Sequence, residues 1–415
     1  MKSGANVSVS ANGVFTEETA EANKSYFKHD KSTSIDYVGG CLCVGQVKQS
    51  CICGQSTHLA GCDKKVLAWM EWSDSKNLPT SGNYYLTTNV TLSNTTFIDA
   101  KVNIALNGYT ISGGTDRPLQ LRQGTVMTLT GWGKSGSTVT GTKVGGDGGL
   151  VLLHTYFNDG KYPAGTKAPV LNAYGVKFDA TNVKECVNGG AIMITARTLD
   201  DNSVAGSSVN LYGCEVKGAT VSGNGGAILI SGKNTSLTTI DCTIKDGKST
   251  KQGANICVQS GAKVTLTTTT VTGGNSADTG ENIALFNNGS LLTLNGCTIG
   301  PRGAGDAQGD NIFINGGSFV ANSSGSTQTN IEMGLRVHAA ESLKFTGKVT
   351  AYQISVDACT PVDFSGLTAG SIGIYTQKAG TLGKNLPSGT TATFVSRNAA
   401  YTVAIEGTNL VSKAA

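Results

Sequence analysis

Two short apolar strands recur along this chain in separate registers with one common period, and that recurrence limits the fold more than any other feature. The strand reading GGAIMI, GGAILI, GANICV, GENIAL and GDNIFI has its first isoleucine at Ile192, Ile228, Ile256, Ile283 and Ile312, in steps of 36, 28, 27 and 29 residues. A second strand, VNLYGCEV, LTTIDCTI, VTLTTTTV and LTLNGCTI, ends its apolar pattern at Val216, Ile244, Val271 and Ile299, in steps of 28, 27 and 28. Periods of roughly 20–50 residues mark solenoids and arrays. Gly, Asn, Asp and Ser punctuate the strands and no 3.6-residue apolar pattern accompanies them, which excludes the helical solenoids. A coil of this length has room for a third short strand. The expected fold is therefore all-β: a right-handed parallel β-helix with coils of about 27–28 residues in its middle, each strand pairing with its counterpart one coil away at about 4.8 Å.

An open solenoid end exposes unpaired edges and apolar stacks, so each end needs a cover. Residues 1–80 are expected to form an N-terminal cap that includes a Cys-rich segment, with TEETAEANKSYF as a short helix. Residues 81–400 form the β-helix, with 131–169 as an insertion or irregular coil, and 401–415 form a closing strand or tail. The 36-residue step implies a further loop around TARTLDDNSVAGSS. The formal net charge of the 415 residues is +4, with both signs interspersed and no basic run, so nucleic acid is not an expected partner. No apolar stretch approaches the roughly 18 residues of a membrane span. MKSGANVSVS lacks the apolar core of a secretory signal.

Strand alternation assigns faces. The flanking residues of each I-x-I strand are placed inside as stacks. The middle residues, Met193, Leu229, Cys257, Ala284 and Phe313, form an outward column that is apolar throughout. Three explanations are open: a cover supplied by 131–169, an exposed binding strip, or inverted faces. Cys214, Cys242 and Cys297, with Thr269, share one column of the second strand. This ladder reads as small packed hydrophobes, against redox chemistry or metal binding.

Eleven cysteines exclude a fully paired intramolecular set, and Cys41, Cys43, Cys51, Cys53 and Cys62 fall within 22 positions. Thiolates beside an imidazole suit a structural zinc, and Cys51, Cys53, His58 and Cys62 are the best set. Disulfides and free thiols are the alternatives. In each case the segment staples the cap. Asn255, Asn282 and Asn311 each precede a first isoleucine and are expected to stack as an amide ladder. Glu281 and Asp310, one coil apart, are the weak catalytic candidates. As neighbours they suit glycosidase chemistry or a shared calcium, or they are turn acids diverging into water. The histidines (His29, His58, His154 and His338) show no triad-like company in the sequence, Asp200-Asp201 is the one fragment of a polygalacturonase-like set, and no G-x-S-x-G, P-loop or H-E-x-x-H motif occurs.

The segment LPTSGNYYLTTNVTL…VNIALNGYTISG, preceded by CICG…H…W…W, resembles the start of pectin-lyase-like right-handed β-helix surface proteins of Gram-positive gut bacteria. The GGAI repeats resemble those of polymorphic outer-membrane adhesins and autotransporter passengers. The resemblance spans residues 50–330 and implies a fold and an extracellular, bacterial cell-surface location, with signal and anchor outside this chain. It says little about chemistry. The expected function is a non-catalytic, adhesin-like rod that recognises a host protein or glycan. The alternatives are a polysaccharide lyase or glycoside hydrolase on the same scaffold, and a spacer module of a larger surface protein.

Overall fold

The computed structural model describes residues 33–38, 41–156, 160–301, 310–356 and 361–415, and every regular element among them is a strand. No helix among these residues is long and apolar enough to cross a membrane. The segment expected to form a short helix, TEETAEANKSYF, lies outside the described residues.

Three parallel ladders run the length of the molecule, so the expected third strand per coil is present. The first joins Tyr84, Ile104, Leu129, Ala173, Leu211, Thr239, Leu266, Leu294, Ala321 and Phe345 in register. The second joins Val90, Ile111, Val139, Phe178, Val216, Ile244, Val271, Ile299 and Ile331. The third is the I-x-I ladder, in which Leu119, Val151, Ile192, Ile228, Ile256, Ile283, Ile312 and Leu335 pair in turn. Their inward residues merge into one continuous apolar core from Leu78 to Leu410. This is a parallel β-helix.

The sequence pattern VNLYGCEV reads as one strand but is two. Ser208–Tyr212 belongs to the first ladder and Glu215–Lys217 to the second, with the chain bent at Gly213. Gly213, Asp241, Thr268 and Gly296 hold this corner with φ of 60°, 54°, 44° and 62°. Non-glycine residues are costly there, and Thr268 donates its hydroxyl to the Asp241 carboxylate one coil away. The next residue points inward, so Cys214, Cys242, Thr269 and Cys297 form a column inside the core. The three thiols are free, and Cys242 and Cys297 donate to the carbonyls of Leu211 and Leu266 at 3.4 and 3.2 Å. They act as packed small hydrophobes.

The amide ladder forms as expected. Asn255 donates to Asn282 at 2.6 Å and Asn282 to Asn311 at 2.7 Å, all fully buried. The carboxamide oxygens of Asn255 and Asn282 take the backbone N–H groups of Gly247 and Gly274.

Residues 131–169 are a coil of the helix, not an insertion as a whole. Thr138–Thr140 and Val151–Leu153 pair within the second and third ladders, and the described residues between Leu153 and Val170 form no strand. The 36-residue step does contain an extra feature, an antiparallel hairpin between Ile192–Thr198 and Val204–Gly206. At the N-terminal end, Thr33–Val38 pairs antiparallel with Cys41–Cys51, which pairs antiparallel with Val66–Trp72. Val66–Trp72 already pairs parallel with Gly82–Leu86, so the coil stack begins inside the expected cap. At the other end Tyr401–Glu406 and Asn409–Ala414 form a hairpin that lies antiparallel on Gly380–Lys384, turning the last parallel edge.

Candidate functional site

Cys51 ends the strand Cys41–Cys51 and Cys53 lies in the turn that follows it, which brings the two thiols together. Gly54, with φ of 65°, turns the chain back and donates to the Cys51 carbonyl; a second turn closes between Leu59 and Cys62. These turns converge Cys51, Cys53, His58 and Cys62, whose ligand atoms all lie within 4.8 Å of one another. The Sγ atoms of Cys51 and Cys53 are 3.6 Å apart. His58 Nδ1 lies 3.4, 3.5 and 3.8 Å from the thiols of Cys51, Cys53 and Cys62. A tetrahedral centre with the usual zinc bond lengths requires about 3.8 Å between sulfurs and about 3.5 Å between sulfur and nitrogen. A disulfide requires about 2.05 Å, so the disulfide alternative does not hold for these three cysteines, which are free. Burial pushes the Cys53 thiol up to about 11; a divalent cation at the centre would favour the thiolates instead. The side chains of Cys41 and Cys43 lie outside the described residues.

The knuckle lies flat on the flank of the helix, across three consecutive coils. A Cβ at Gly54 would meet the Trp132 ring at 2.3 Å, and one at Gly61 would meet the Tyr212 ring at 2.3 Å. Tyr174 and Tyr212 stack with centroids 4.9 Å apart, and the Tyr174 hydroxyl donates to the Gly61 carbonyl at 3.0 Å. The segment staples the solenoid from its side.

Glu281 and Asp310 are neighbours as expected, with the Glu281 N–H donating to the Asp310 carbonyl at 2.9 Å. Glu281 is buried and its carboxylate accepts the Ser276 N–H at 2.8 Å. Asp310 faces Arg336 at 3.9 Å, and burial raises its pKa more than that guanidinium lowers it. Neither diverges into water. Among the described residues the Cys51–Cys62 set is the grouping of three or more such side chains that could hold a metal, and none of these residues adds a third acid to Glu281 and Asp310.

The outward apolar column faces away from the core, as assigned, but it is not an exposed strip. Met193 is 9% and Phe313 7% exposed, with Leu229, Cys257 and Ala284 between them at 2% or less. Of residues 131–169, Leu152 extends the column and the turn at Gly148 lies against Met193, whose Cβ an added Gly148 Cβ would meet at 3.1 Å. The cover is local. Gly189, Gly225, Gly253 and Gly280, all with φ of 60–68°, fold each preceding turn back so closely that an added Cβ would meet the Ile192, Ile228, Ile256 or Ile283 carbonyl within 2.6 Å. The turn thereby lies against the middle residue.

Further toward the N-terminal end the same outer face carries a cluster that sequence reasoning missed. Phe97 belongs to the column, while Arg122 and His154 follow the paired Leu121 and Leu153 on that face. The Arg122 guanidinium sits 3.8 Å over the Phe97 ring and 6.0 Å from that of Tyr156. Arg197 sits 4.3 Å over Tyr162 and donates to His154 Nε2 at 3.2 Å. The Thr195 hydroxyl gives its proton to the Leu153 carbonyl at 2.9 Å, so at 3.0 Å it accepts from His154 Nδ1. The Arg197 contact requires a neutral imidazole, with its proton on Nδ1. Burial, and then the Arg197 charge, hold the His154 pKa below its ordinary value. The unfolded chain takes up that proton near pH 6.5, so this contribution to stability is complete above about 6.5 and falls as pH drops through it. In denaturant unfolding at pH 7.5 and 5.5, the native chain is expected to lose more stability than His154→Gln; equal losses would remove His154 as the cause.

Comparison with protein-family models, curated proteins and solved structures finds no match to this chain.

Proposed function

We propose that this chain is a non-catalytic binding rod of the bacterial cell surface, right-handed and pectin-lyase-like, with a structural zinc held by Cys51, Cys53, His58 and Cys62. Its partner is a host glycan or protein, as the adhesin-like and gut-bacterial resemblance implies. The observation that carries this reading is the outer-face cluster of Phe97, Arg122, His154, Tyr156, Tyr162 and Arg197. It combines rings with charged hydrogen-bond donors on a rigid sheet, the combination found at recognition surfaces rich in Arg and Tyr. The catalytic alternative finds less support, because Glu281 is buried on Ser276 and Asp310 faces Arg336. Glycan-array and host-cell binding by the full chain, repeated with Phe97→Ala plus Tyr156→Ala, tests the reading. Binding is expected and should fall at least about tenfold in the double variant. Undiminished binding would move recognition off this face, and release of reducing sugar from a bound polysaccharide would overturn the non-catalytic assignment.

A further inference from the structure

We infer that the outer-face cluster takes a carboxylate-bearing sugar, its acid group held by Arg122 and Arg197 and its ring against Phe97 and Tyr156. The inference rests on the binding reading above and adds the ligand class. A guanidinium stacked on an aromatic face keeps its N–H groups in its own plane, directed past the ring edge, which suits a bidentate carboxylate. Both arginines are held in this manner, Arg122 at 3.8 Å over Phe97 and Arg197 at 4.3 Å over Tyr162. His154 fixes Arg197 further by accepting one of its N–H groups. Phe97 and Tyr156, whose rings lie beside Arg122, are 43% and 40% exposed as residues, which leaves aromatic surface for the apolar side of a pyranose. The acid paired with Arg122 is Asp99, at 3.7 Å and with its side chain 57% exposed. A contact that long and that wet is readily displaced, and a ligand carboxylate arriving there replaces like with like. The sheet beneath is paired on both sides, so the donors are pre-organised.

Calorimetric titration of the full chain tests this with a glucuronate-containing oligosaccharide, sialyllactose, the methyl ester of each, neutral lactose and a glutamate-rich peptide. One of the two acidic sugars is expected to bind, and which one does separates a uronate from a sialylated source. Its methyl ester should bind about tenfold more weakly or worse, as should the acid to Arg122→Gln and to Arg197→Gln. Asp99→Asn should bind the acid about threefold more tightly, a gain that misfolding cannot produce. Equal affinity for acid and ester, equal affinity for the peptide, unchanged affinity in both arginine variants, or no binding by any probe would each overturn the inference. If lactose binds and the Phe97→Ala plus Tyr156→Ala variant loses it while the arginine variants do not, the carboxylate assignment falls and the binding face stands. If glycan binding on the array survives the aromatic variant, the face itself falls.

Discussion

Chelator treatment, or Cys53→Ser, is expected to unfold the N-terminal flank well before the rest of the helix. Zinc bound by such a set contributes on the order of 10 kcal/mol to the order of a small knuckle, and this segment has little apolar surface to replace it. Much of that free energy orders the segment itself. The remainder reaches the coils through Trp132, Tyr174 and Tyr212, the rings on which the knuckle lies. A loss of about 4 kcal/mol in that region corresponds to a fall of about 10 °C in its midpoint. Calorimetry should resolve an early transition, and the fluorescence of Trp69 and Trp132, whose rings meet edge to face at 5.1 Å, should report it. Mass spectrometry of the purified chain should find one zinc per molecule. A chain without stoichiometric metal, or one whose melting ignores both chelator and Cys53→Ser, would refute the zinc assignment.

Asn282→Ala is expected to be among the most damaging single substitutions in the middle coils. It would leave three fully buried groups without their partner: a carboxamide hydrogen of Asn255, the carboxamide oxygen of Asn311 and the N–H of Gly274. At about 1–3 kcal/mol for each stranded group, the loss should lie between about 3 and 9 kcal/mol. Thr293→Ala, on the half-exposed outer face of the first ladder, should cost within about 0.5 kcal/mol. Urea titration of both variants measures the contrast. A loss under about 1.5 kcal/mol for Asn282→Ala would mean that water satisfies the gap and the ladder is dispensable.

The fold was legible in the sequence wherever the coil length is constant. Ile228, Ile256, Ile283 and Ile312 declare the third ladder because their spacing hardly changes, and the Asn ladder follows from the same register. The zinc-type set was legible because cysteine and histidine are scarce and clustered. Two things were hidden. The corner at Gly213 and Asp241 was invisible because a left-handed residue interrupts a strand without interrupting its apolar alternation. The outer-face cluster was invisible because its coils are irregular: Ile98, Leu121, Leu153 and Ile194 are paired neighbours in the third ladder, yet their separations in the chain share no period. Arg122, His154 and Arg197 therefore look unrelated until the ladder is traced. The buried state of Leu229 was hidden for another reason. Its cover is backbone, a folded glycine turn, which no apolar pattern announces.

The knuckle that lies across three coils also divides the rod mechanically. Beyond Tyr212 the main connections are those between one coil and the next, so a chain pulled from its C-terminal end should yield coil by coil. Each release of about 27 residues adds roughly 90 Å of contour. At the clasped coils the sawtooth should stop, because the strands around 126–130, 170–174 and 208–212 share the Cys51–Cys62 clasp and must part together. The molecule would then behave under load as a tear-away tape with a rivet at one end.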